Sequence, residues 1–280
     1  MSTVYLNGQF LPMEQAHISP LDRGFLYADS IYEVIRAYRG KPFLLGEHFG
    51  RVADCLAKMR MGTYLSPLKE VPARLLAENQ LGGDALIYIQ VTRGAPPVRS
   101  HAFPPPETKA TVFAYAWGFT PNAEWADPGV AIVLVPDDRW ARCDIKVTGL
   151  TPNVLANQRA RDQGAHEAVY VRDGVLTEGT HNNFFAVFEG EVRTLPLSNY
   201  ILPGITRAAV LDLCRQHGIP VRETPIFDHE LPRAEELFIT GTVAEVAPVH
   251  KLDGRVLSRE RPVTDRIRHL FRELVERETA

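Results

Sequence analysis

The sequence predicts an α+β protein of two domains, and three observations lead to this prediction. Residue pairs that end in glycine recur between apolar runs, and such two-residue turns are typical of antiparallel hairpins. Stretches with helical periodicity lie between these hairpins. A polar segment with two prolines, residues 118–129, is typical of a linker, so we predict a small domain over 1–117 and a larger one over 130–280.

The strands are predicted from the turns and from short apolar runs between them. Because five such turns each join neighbouring strands, we expect a largely antiparallel sheet rather than a βαβ repeat. The turns are Asn7-Gly8, Arg39-Gly40, Asp173-Gly174, Glu189-Gly190 and Asp253-Gly254. The clearest strands are Val4–Leu6, Gln9–Leu11, Ala85–Thr92, Thr111–Trp117 and Val130–Val135.

Helices are predicted where apolar residues recur at three-to-four spacing. In the first of them Phe49, Val52 and Leu56 share one face, and Gly62 is expected to end the helix. The predicted helices span His48–Met61, Pro67–Glu78, Pro152–Gln163, Thr206–His217 and Pro262–Glu278. A stiff loop with five prolines, Gly94–Pro106, separates two of the strands, and loops of this length are usually functional or part of an interface.

Composition and charge exclude several classes of protein. The 280 residues are 45% hydrophobic and 23% charged, which excludes a chain that is mainly disordered. A net charge of −3 argues against a general nucleic-acid binder, and no run approaches the ~20 apolar residues of a membrane span. Met1–Pro12 lacks the pattern of a signal peptide, and Cys55, Cys143 and Cys214 lie far apart, so we expect a cytoplasmic protein without disulfides.

The common motifs of nucleotide-binding and hydrolytic enzymes are not found in the sequence. It has no P-loop, no G-x-G-x-x-G, no H-E-x-x-H and no G-x-S-x-G pattern. The nine histidines are scattered, so we expect no metal site.

Three features in chain order fit one chemistry, although each is weak alone. Lys146 follows an apolar strand, Glu178 precedes a glycine at a hairpin end, and residues 202–207 open a helix. Singly, these are typical of a surface lysine, a turn residue and a helix cap. Together they match pyridoxal phosphate, which needs a lysine for its imine, a carboxylate for its ring nitrogen and a helix N-terminus for its phosphate.

Further motifs extend the match nearly from end to end of the chain. They are Ser19-Pro20-Leu21-Asp22-Arg23-Gly24, Tyr32-Glu33-Val34, Glu47-His48 with Arg51, Val91-Thr92-Arg93-Gly94, Arg139-Trp140 to Lys146, Thr177-Glu178-Gly179 and Gly204-Ile205-Thr206. With these motifs the sequence resembles the fold-type IV (class IV) pyridoxal-phosphate-dependent aminotransferases, and among them the D-amino acid aminotransferases. The resemblance implies a small N-terminal α/β domain and a larger C-terminal pseudo-barrel domain.

The resemblance also implies roles for residues around the cofactor. Lys146 would form the imine with pyridoxal 5′-phosphate and move the proton at the substrate Cα, and Glu178 would hold the ring nitrogen protonated. The phosphate would be bound by Arg51, Ile205, Thr206 and Thr242. Without the resemblance, Arg51 on its amphipathic helix would be interpreted as a plain surface charge.

For the substrate, the resemblance implies binding by Tyr32 and by two residues of the proline-rich loop. Arg99 and His101 match the pair that binds the α-carboxylate in D-amino acid aminotransferases, where the loop reaches the site of the neighbouring subunit of a homodimer. The expected donors are D-alanine or D-glutamate, and the expected acceptors are 2-oxoglutarate or pyruvate.

Two departures from the family pattern concern the substrate range. Val147 follows the lysine where relatives usually carry serine, and His181 stands where a small serine is common. Two alternatives of the same fold remain open, namely a 4-amino-4-deoxychorismate lyase, against which Arg99 and His101 argue, and an (R)-amine or branched-chain transaminase. A cofactor-free binding protein on this scaffold is the alternative outside enzymes.

Overall fold

The structure is a computed structural model that describes residues 2–62 and 68–280. It divides into two compact units. Unit 1 comprises Met1–Thr120, Ile145–Gly149 and Glu278–Ala280, and unit 2 comprises Pro121–Asp144 and Leu150–Arg277. Helices and strands are mixed in both, so the predicted α+β class is confirmed.

Unit 1 is built on an antiparallel sheet that has six strands among the described residues, in the order β2-β1-β6-β5-β3-β4. The strands are β1 (Thr3–Leu6), β2 (Gln9–Pro12), β3 (Ser30–Tyr38), β4 (Lys41–Pro42), β5 (Ala85–Thr92) and β6 (Val112–Gly118). Helices α1 (Arg23–Tyr27), α2 (Leu45–Lys58) and α3 (Val71–Glu78) accompany the sheet. Phe49, Val52 and Leu56 of α2 join Ile35 and Ile87 of the sheet in one core.

Two helix boundaries in unit 1 differ from the prediction. Helix α2 begins three residues before His48 and ends at Lys58, because Arg60 adopts a left-handed φ of 54° two residues before Gly62. Helix α3 begins at Val71 rather than Pro67, and Pro67 lies outside the described residues.

Unit 2 contains a closed ring of strands. The described strands are β7 (Val130–Pro136), β8 (Glu167–Arg172), β9 (Val175–Gly179), β10 (Asn183–Phe188), β11 (Glu191–Thr194), β12 (Val221–Glu223), β13 (Glu236–Gly241), β14 (Glu245–Leu252) and β15 (Arg255–Val256). The run β10-β13-β14-β7-β8-β9 closes on itself through a β9–β10 pairing of Glu178 with Asn183. The expected pseudo-barrel is therefore confirmed.

The helices of unit 2 are α4 (Ala123–Ala126), α5 (Thr151–Asp162), α6 (Ile205–Gln216) and α7 (Pro262–Glu278). The last matches its predicted range, α5 and α6 each begin one residue earlier than predicted, and α4 lies inside the segment predicted as a linker. Among the described residues, no helix combines the length and the apolar character that a membrane crossing requires.

The predicted turns and the largely antiparallel pairing are confirmed, and there is in addition one βαβ connection that the turns do not predict. All five two-residue turns connect paired antiparallel strands, with positive φ at both turn residues. Strands β7 and β8, however, are parallel and joined by α5, and β14 also pairs parallel to β7. Parallel neighbours need such a crossover, which short hairpin turns do not reveal.

A short segment, Ile145–Gly149, belongs to unit 1 although the chain on both sides of it belongs to unit 2. The predicted domain over 130–280 included this segment. Val147 forms a β-bridge with Ile31 of β3, and Ile145 and Val147 belong to the hydrophobic core of unit 1.

Candidate active site

Lys146 is held in unit 1 by its own backbone. The Tyr32 N–H donates to the Lys146 carbonyl over 2.9 Å, and the Lys146 N–H donates to the Cys55 Sγ over 3.4 Å. The Lys146 Nζ lies 4.3 Å from the centre of the Tyr32 ring. The structure therefore brings the predicted lysine and the predicted substrate residue Tyr32 together.

The departure at position 147 has a structural explanation. The Val147 side chain is buried and packs in the core of unit 1, while its neighbour Thr148 hydrogen-bonds the Ser30 hydroxyl through its own hydroxyl. Both contacts fasten the lysine segment to β3. An apolar residue at 147 thus serves packing in this chain.

Arg51 lies in a buried ion cluster and not on the surface. Its Nε donates to Glu33 Oε2 over 2.9 Å and its Nη2 to Glu33 Oε1 over 2.6 Å, while His48 Nδ1 lies 3.1 Å from Glu33 Oε1. Burial alone would raise the pKa of Glu33, but Arg51 and His48 together outweigh burial, so this pKa lies well below its ordinary value. The interpretation of Arg51 as a surface charge is wrong, and its partner Glu33 was missed as a functional residue.

Arg99 and His101 are exposed and share one aromatic neighbour in unit 1. The Arg99 guanidinium carbon lies 4.7 Å from the centre of the Tyr27 ring, and the His101 ring centre lies 5.4 Å from it. Arg23 Nη1 donates to the carbonyls of Ser100 and Ala102, which fixes the backbone on both sides of His101.

Tyr27 was not predicted from the sequence, because it lies more than 70 residues before the loop residues that it contacts. Its hydroxyl is buried and has no hydrogen-bond partner among the described residues. The aromatic ring is therefore its contribution to the loop, through contacts with two arginines, Arg23 and Arg99.

Glu178 is a buried carboxylate in unit 2 that accepts hydrogen bonds from side chains and from the backbone. Arg139 Nη1 donates to Oε1 over 2.6 Å, and Asn183 Nδ2 and the Leu202 N–H donate to Oε2 over 3.1 and 3.0 Å. Each of these donors favours the ionised form. An ionised carboxylate of this kind suits the protonated nitrogen of a pyridine ring.

Arg139, which supports Glu178, is itself held by Asp137. Arg139 Nε and Nη2 donate to the two Asp137 oxygens over 2.9 and 3.0 Å. Burial would raise the pKa of Asp137, but Arg139 and Arg172 lower it below its ordinary value. The motif containing Arg139 was noted in the sequence, whereas its bond to Glu178 depends on the fold and was missed.

The start of α6 has the features of an anion site. The N-cap residue, Gly204, has no side chain to satisfy the first N–H groups of the helix, which include those of Ile205 and Thr206. Thr206 is buried and Ile205 is partly buried. In the same unit, Thr242 occupies the turn between β13 and β14, directly after Gly241.

His181, the second departure, contacts a buried carboxylate of unit 2. Its Nδ1 lies 3.2 Å from Glu167 Oε2 and 2.9 Å from the Thr180 hydroxyl, and its side chain is 47% exposed. Glu167 also accepts from the Thr180 N–H and from Asn182 Nδ2. His181 therefore adds to a network that holds the corner between β9 and β10.

The predicted residues are distributed over both units. Unit 1 contains Tyr32, Arg51, Arg99, His101 and Lys146, and unit 2 contains Glu178, Ile205, Thr206 and Thr242. Their donor and acceptor types fit pyridoxal 5′-phosphate: an amine for the aldehyde, a carboxylate for the ring nitrogen, and a guanidinium with helix N–H groups for the phosphate.

Comparison with known proteins also finds similarity to aminotransferases. The family described as amino-transferase class IV matches residues 30–252. A D-alanine aminotransferase of Staphylococcus haemolyticus is 37% identical over 280 residues, covering 99% of each chain, and one of Staphylococcus epidermidis is 40% identical over 258 residues, covering 91% of this chain and 90% of that protein.

A solved structure of a branched-chain amino acid aminotransferase has the same fold. This enzyme, from Escherichia coli, superposes with a TM-score of 0.89 at 28% identity, covering 100% of this chain and 96% of that chain.

Proposed function

The chain belongs to the class IV aminotransferase family, and from this premise we propose that it transfers amino groups between D-amino acids and 2-oxo acids with pyridoxal 5′-phosphate. One observation carries the choice of D-amino acids: D-alanine aminotransferases match the chain over nearly its whole length. D-Alanine or D-glutamate are the proposed donors, and 2-oxoglutarate or pyruvate the acceptors.

Lys146 and Glu178 are the proposed centre of the chemistry. The cofactor, when bound, supplies a cationic ring that accepts the electron pair left at the substrate Cα. Lys146 Nζ would take the proton from that carbon and deliver it to the cofactor carbon that carried the aldehyde, with the Tyr32 ring beside the amine. Glu178, kept ionised by Arg139, holds the proton at the ring nitrogen.

The phosphate is the proposed ligand of Arg51, the N–H groups of Ile205 and Thr206, and Thr242. Arg51 presents a guanidinium already oriented by Glu33, and the start of α6 supplies donors together with the positive end of the helix dipole. These groups would keep the cofactor bound when it is not joined to Lys146.

Arg99, His101 and Tyr32 are the proposed ligands of the substrate α-carboxylate. A guanidinium, an imidazole and a phenol are all donors that suit a carboxylate. We further propose a homodimer in which the loop with Arg99 and His101 serves the neighbouring subunit, and a cytoplasmic location.

Side-by-side assays of D-alanine, L-leucine and (R)-1-phenylethylamine test the substrate class. We expect turnover of D-alanine with 2-oxoglutarate, with ping-pong kinetics because the donor leaves as its oxo acid, pyruvate, before the acceptor binds. The likeness to a branched-chain enzyme makes an L-specific branched-chain transaminase the second candidate. Turnover of L-leucine alone would establish that candidate and refute ours.

The cofactor is tested separately from the substrate. Purified protein should be yellow, and borohydride should fix the cofactor to the peptide that contains Lys146, as read by mass spectrometry. Lys146→Ala should lose both the label and turnover. Colourless protein that does not respond to added pyridoxal phosphate would instead identify a cofactor-free binding protein.

Arg99→Ala tests the carboxylate site. We expect KM for amino and oxo acids to rise about tenfold or more, because a charge-assisted hydrogen bond is lost, while KM for a simple amine stays nearly constant. Equal changes for both kinds of substrate would contradict the role of Arg99.

A further inference from the structure

We propose that Asn183 is a positioning residue that sets the spacing between two cofactor contacts, the Glu178 carboxylate and the start of helix α6. The inference rests on the proposed function. Asn183 is buried and opens β10, where it pairs with Glu178 of β9 on one side and with Thr240 of β13 on the other. Its backbone is therefore fixed by the closed ring of strands.

The Asn183 side-chain amide hydrogen-bonds both the Glu178 carboxylate and the chain that leads into α6. Its Nδ2 donates to Glu178 Oε2 over 3.1 Å and to the Leu202 carbonyl over 3.0 Å. Both partners are acceptors, which fixes the orientation of the amide and turns Oδ1 to the other side. Leu202 also donates its N–H to Glu178 Oε2, so the carboxylate, the amide and the chain leading into α6 form one network.

The other side of the amide packs directly on the residue that begins α6. A Cβ on Gly204 would lie 2.0 Å from Asn183 Oδ1, so a larger residue would force either the hydrogen-bonded amide or the start of the helix to move. The φ of Gly204 is −67°, which any residue adopts, so the glycine is required by this close approach and not by its backbone angle. The helix start thus rests against Asn183.

Spacing matters because the ring nitrogen and the phosphate of pyridoxal phosphate lie at opposite ends of one rigid molecule. Two contacts to one ligand reinforce each other only when their separation matches that of the ligand groups. A rigid buried amide between the Glu178 carboxylate and the start of α6 sets this separation before the cofactor binds. Less conformational entropy is then lost on binding.

The neighbouring residue offers a matched comparison. Asn182 Nδ2 donates to Glu167 Oε2 over 2.5 Å, and a Cβ on Gly241 would lie 2.2 Å from Asn182 Oδ1. Asn182 thus repeats the arrangement with another carboxylate and another glycine, next to Thr242. Its amide is directed to Glu167, whereas that of Asn183 is directed to Glu178.

The test compares binding of pyridoxal phosphate and of pyridoxal, which lacks the phosphate, to the cofactor-free full-length chain by absorbance titration. In Asn183→Ala we expect pyridoxal to bind several-fold more weakly and pyridoxal phosphate about tenfold to a hundredfold more weakly, so the preference for the phosphate ester falls. Asn182→Ala should leave pyridoxal binding within about twofold of the wild type, because Glu178 keeps its partners.

Gly204→Ala tests the contact between Asn183 and α6 from the side of the helix. It should lower the preference for the phosphate ester while pyridoxal binds nearly as before. In the double variant with Asn183→Ala, the added methyl gains space, so the loss in thermal midpoint should be clearly smaller than the sum of the losses in the two single variants. This rescue keeps the inference testable even if Asn183→Ala is too unstable for titration.

Equal weakening of both ligands in Asn183→Ala would overturn the inference, since the amide would then support Glu178 alone. Failure of the rescue would also overturn it. If the wild-type chain binds pyridoxal phosphate and transaminates in either case, the proposed function stands. A wild-type chain that binds neither ligand would refute both.

Discussion

Unit 1 and unit 2 each bury an arginine–glutamate pair, and the two pairs present opposite members to the proposed cofactor. In unit 1 the proposed ligand of the cofactor is Arg51, and Glu33 supports it; in unit 2 it is Glu178, and Arg139 supports it. The comparison shows that the interior of this chain pairs buried charges of either sign with a partner of opposite sign.

The two pairs differ in what surrounds the supporting residue. Arg139 is shared with a second carboxylate, that of Asp137, whereas Glu33 lies beside a second basic group, His48. Loss of Arg139 would therefore leave two buried carboxylates without it, and loss of the Glu33 charge would leave one buried guanidinium. The comparison predicts a larger penalty in unit 2.

Arg139→Met should have the largest effect. Removal of one partner from a buried ion pair costs about 3–5 kcal/mol. Here two carboxylates lose the same arginine, although Asp137 keeps Arg172 and Glu178 keeps its hydrogen bonds from Asn183 and Leu202. Urea unfolding followed by tryptophan fluorescence measures the loss, with the exposed Arg142→Met as control. A loss below about 1 kcal/mol would show that the pair behaves like a surface ion pair.

Glu33→Gln should have a smaller effect, since the amide still accepts a hydrogen bond from Arg51. We expect a loss of about 1.5–3 kcal/mol in the free energy of unfolding, the size of a charge-assisted hydrogen bond. The exposed Glu47→Gln, on the same helix as Arg51, is the control. If Glu33→Gln costs more than Arg139→Met, the ranking of the two pairs is reversed.

Acid should weaken the Glu33–Arg51 pair and the contact of Asp137 with Arg139. The pKa values of Glu33 and Asp137 lie below their ordinary values, so their stabilisation is complete above the unfolded pKa of about 4 and is lost as the pH falls towards the folded pKa. Each group contributes a slope of up to about 1.4 kcal/mol per pH unit. Unfolding midpoints measured between roughly pH 3 and 6 should vary less steeply in Glu33→Gln and in Asp137→Asn, and unchanged slopes would contradict this origin.

Arg99 extends the comparison to an arginine that faces an aromatic ring. Tyr27→Leu removes the ring face and should raise KM for the oxo acid a few-fold, since such contacts contribute about 0.5–1 kcal/mol at exposed sites. Tyr27→Phe keeps the face and loses only a hydroxyl without a partner among the described residues, so its KM should match the wild type. Equal KM values in both variants would show that the ring does not position Arg99.

Local features of the fold were the most predictable from the sequence. The five glycine turns and helix α7 were predicted because their signals lie within a few residues of each other. The end of α2 was not, since Arg60 adopts a left-handed conformation without glycine. The parallel pairing of β7 with β8 was also missed, because it depends on the crossover helix and not on a turn.

In the candidate site, residues of family motifs could be named, but their partners could not. Glu178 and Lys146 stand in recognisable patterns, whereas the bonds from Arg139 and Asn183 to Glu178 are made by chain folding. Tyr27 carries no local signal that relates it to Arg99. Contacts of this kind join residues that are distant in sequence, and periodicity contains no information about them.

The segment 145–149 limits how this chain can be recombined with its relatives. A hybrid with one exchange point after residue 120 would take β3 from one parent and Lys146 from the other, although the Tyr32 N–H must donate to the Lys146 carbonyl. A hybrid with three exchange points can transfer 145–149 together with the first 120 residues. Both partners of that hydrogen bond then come from the same parent. In such hybrids Lys146, the proposed reactive amine, should therefore come from the same parent as the first 120 residues, although it lies in the second half of the chain.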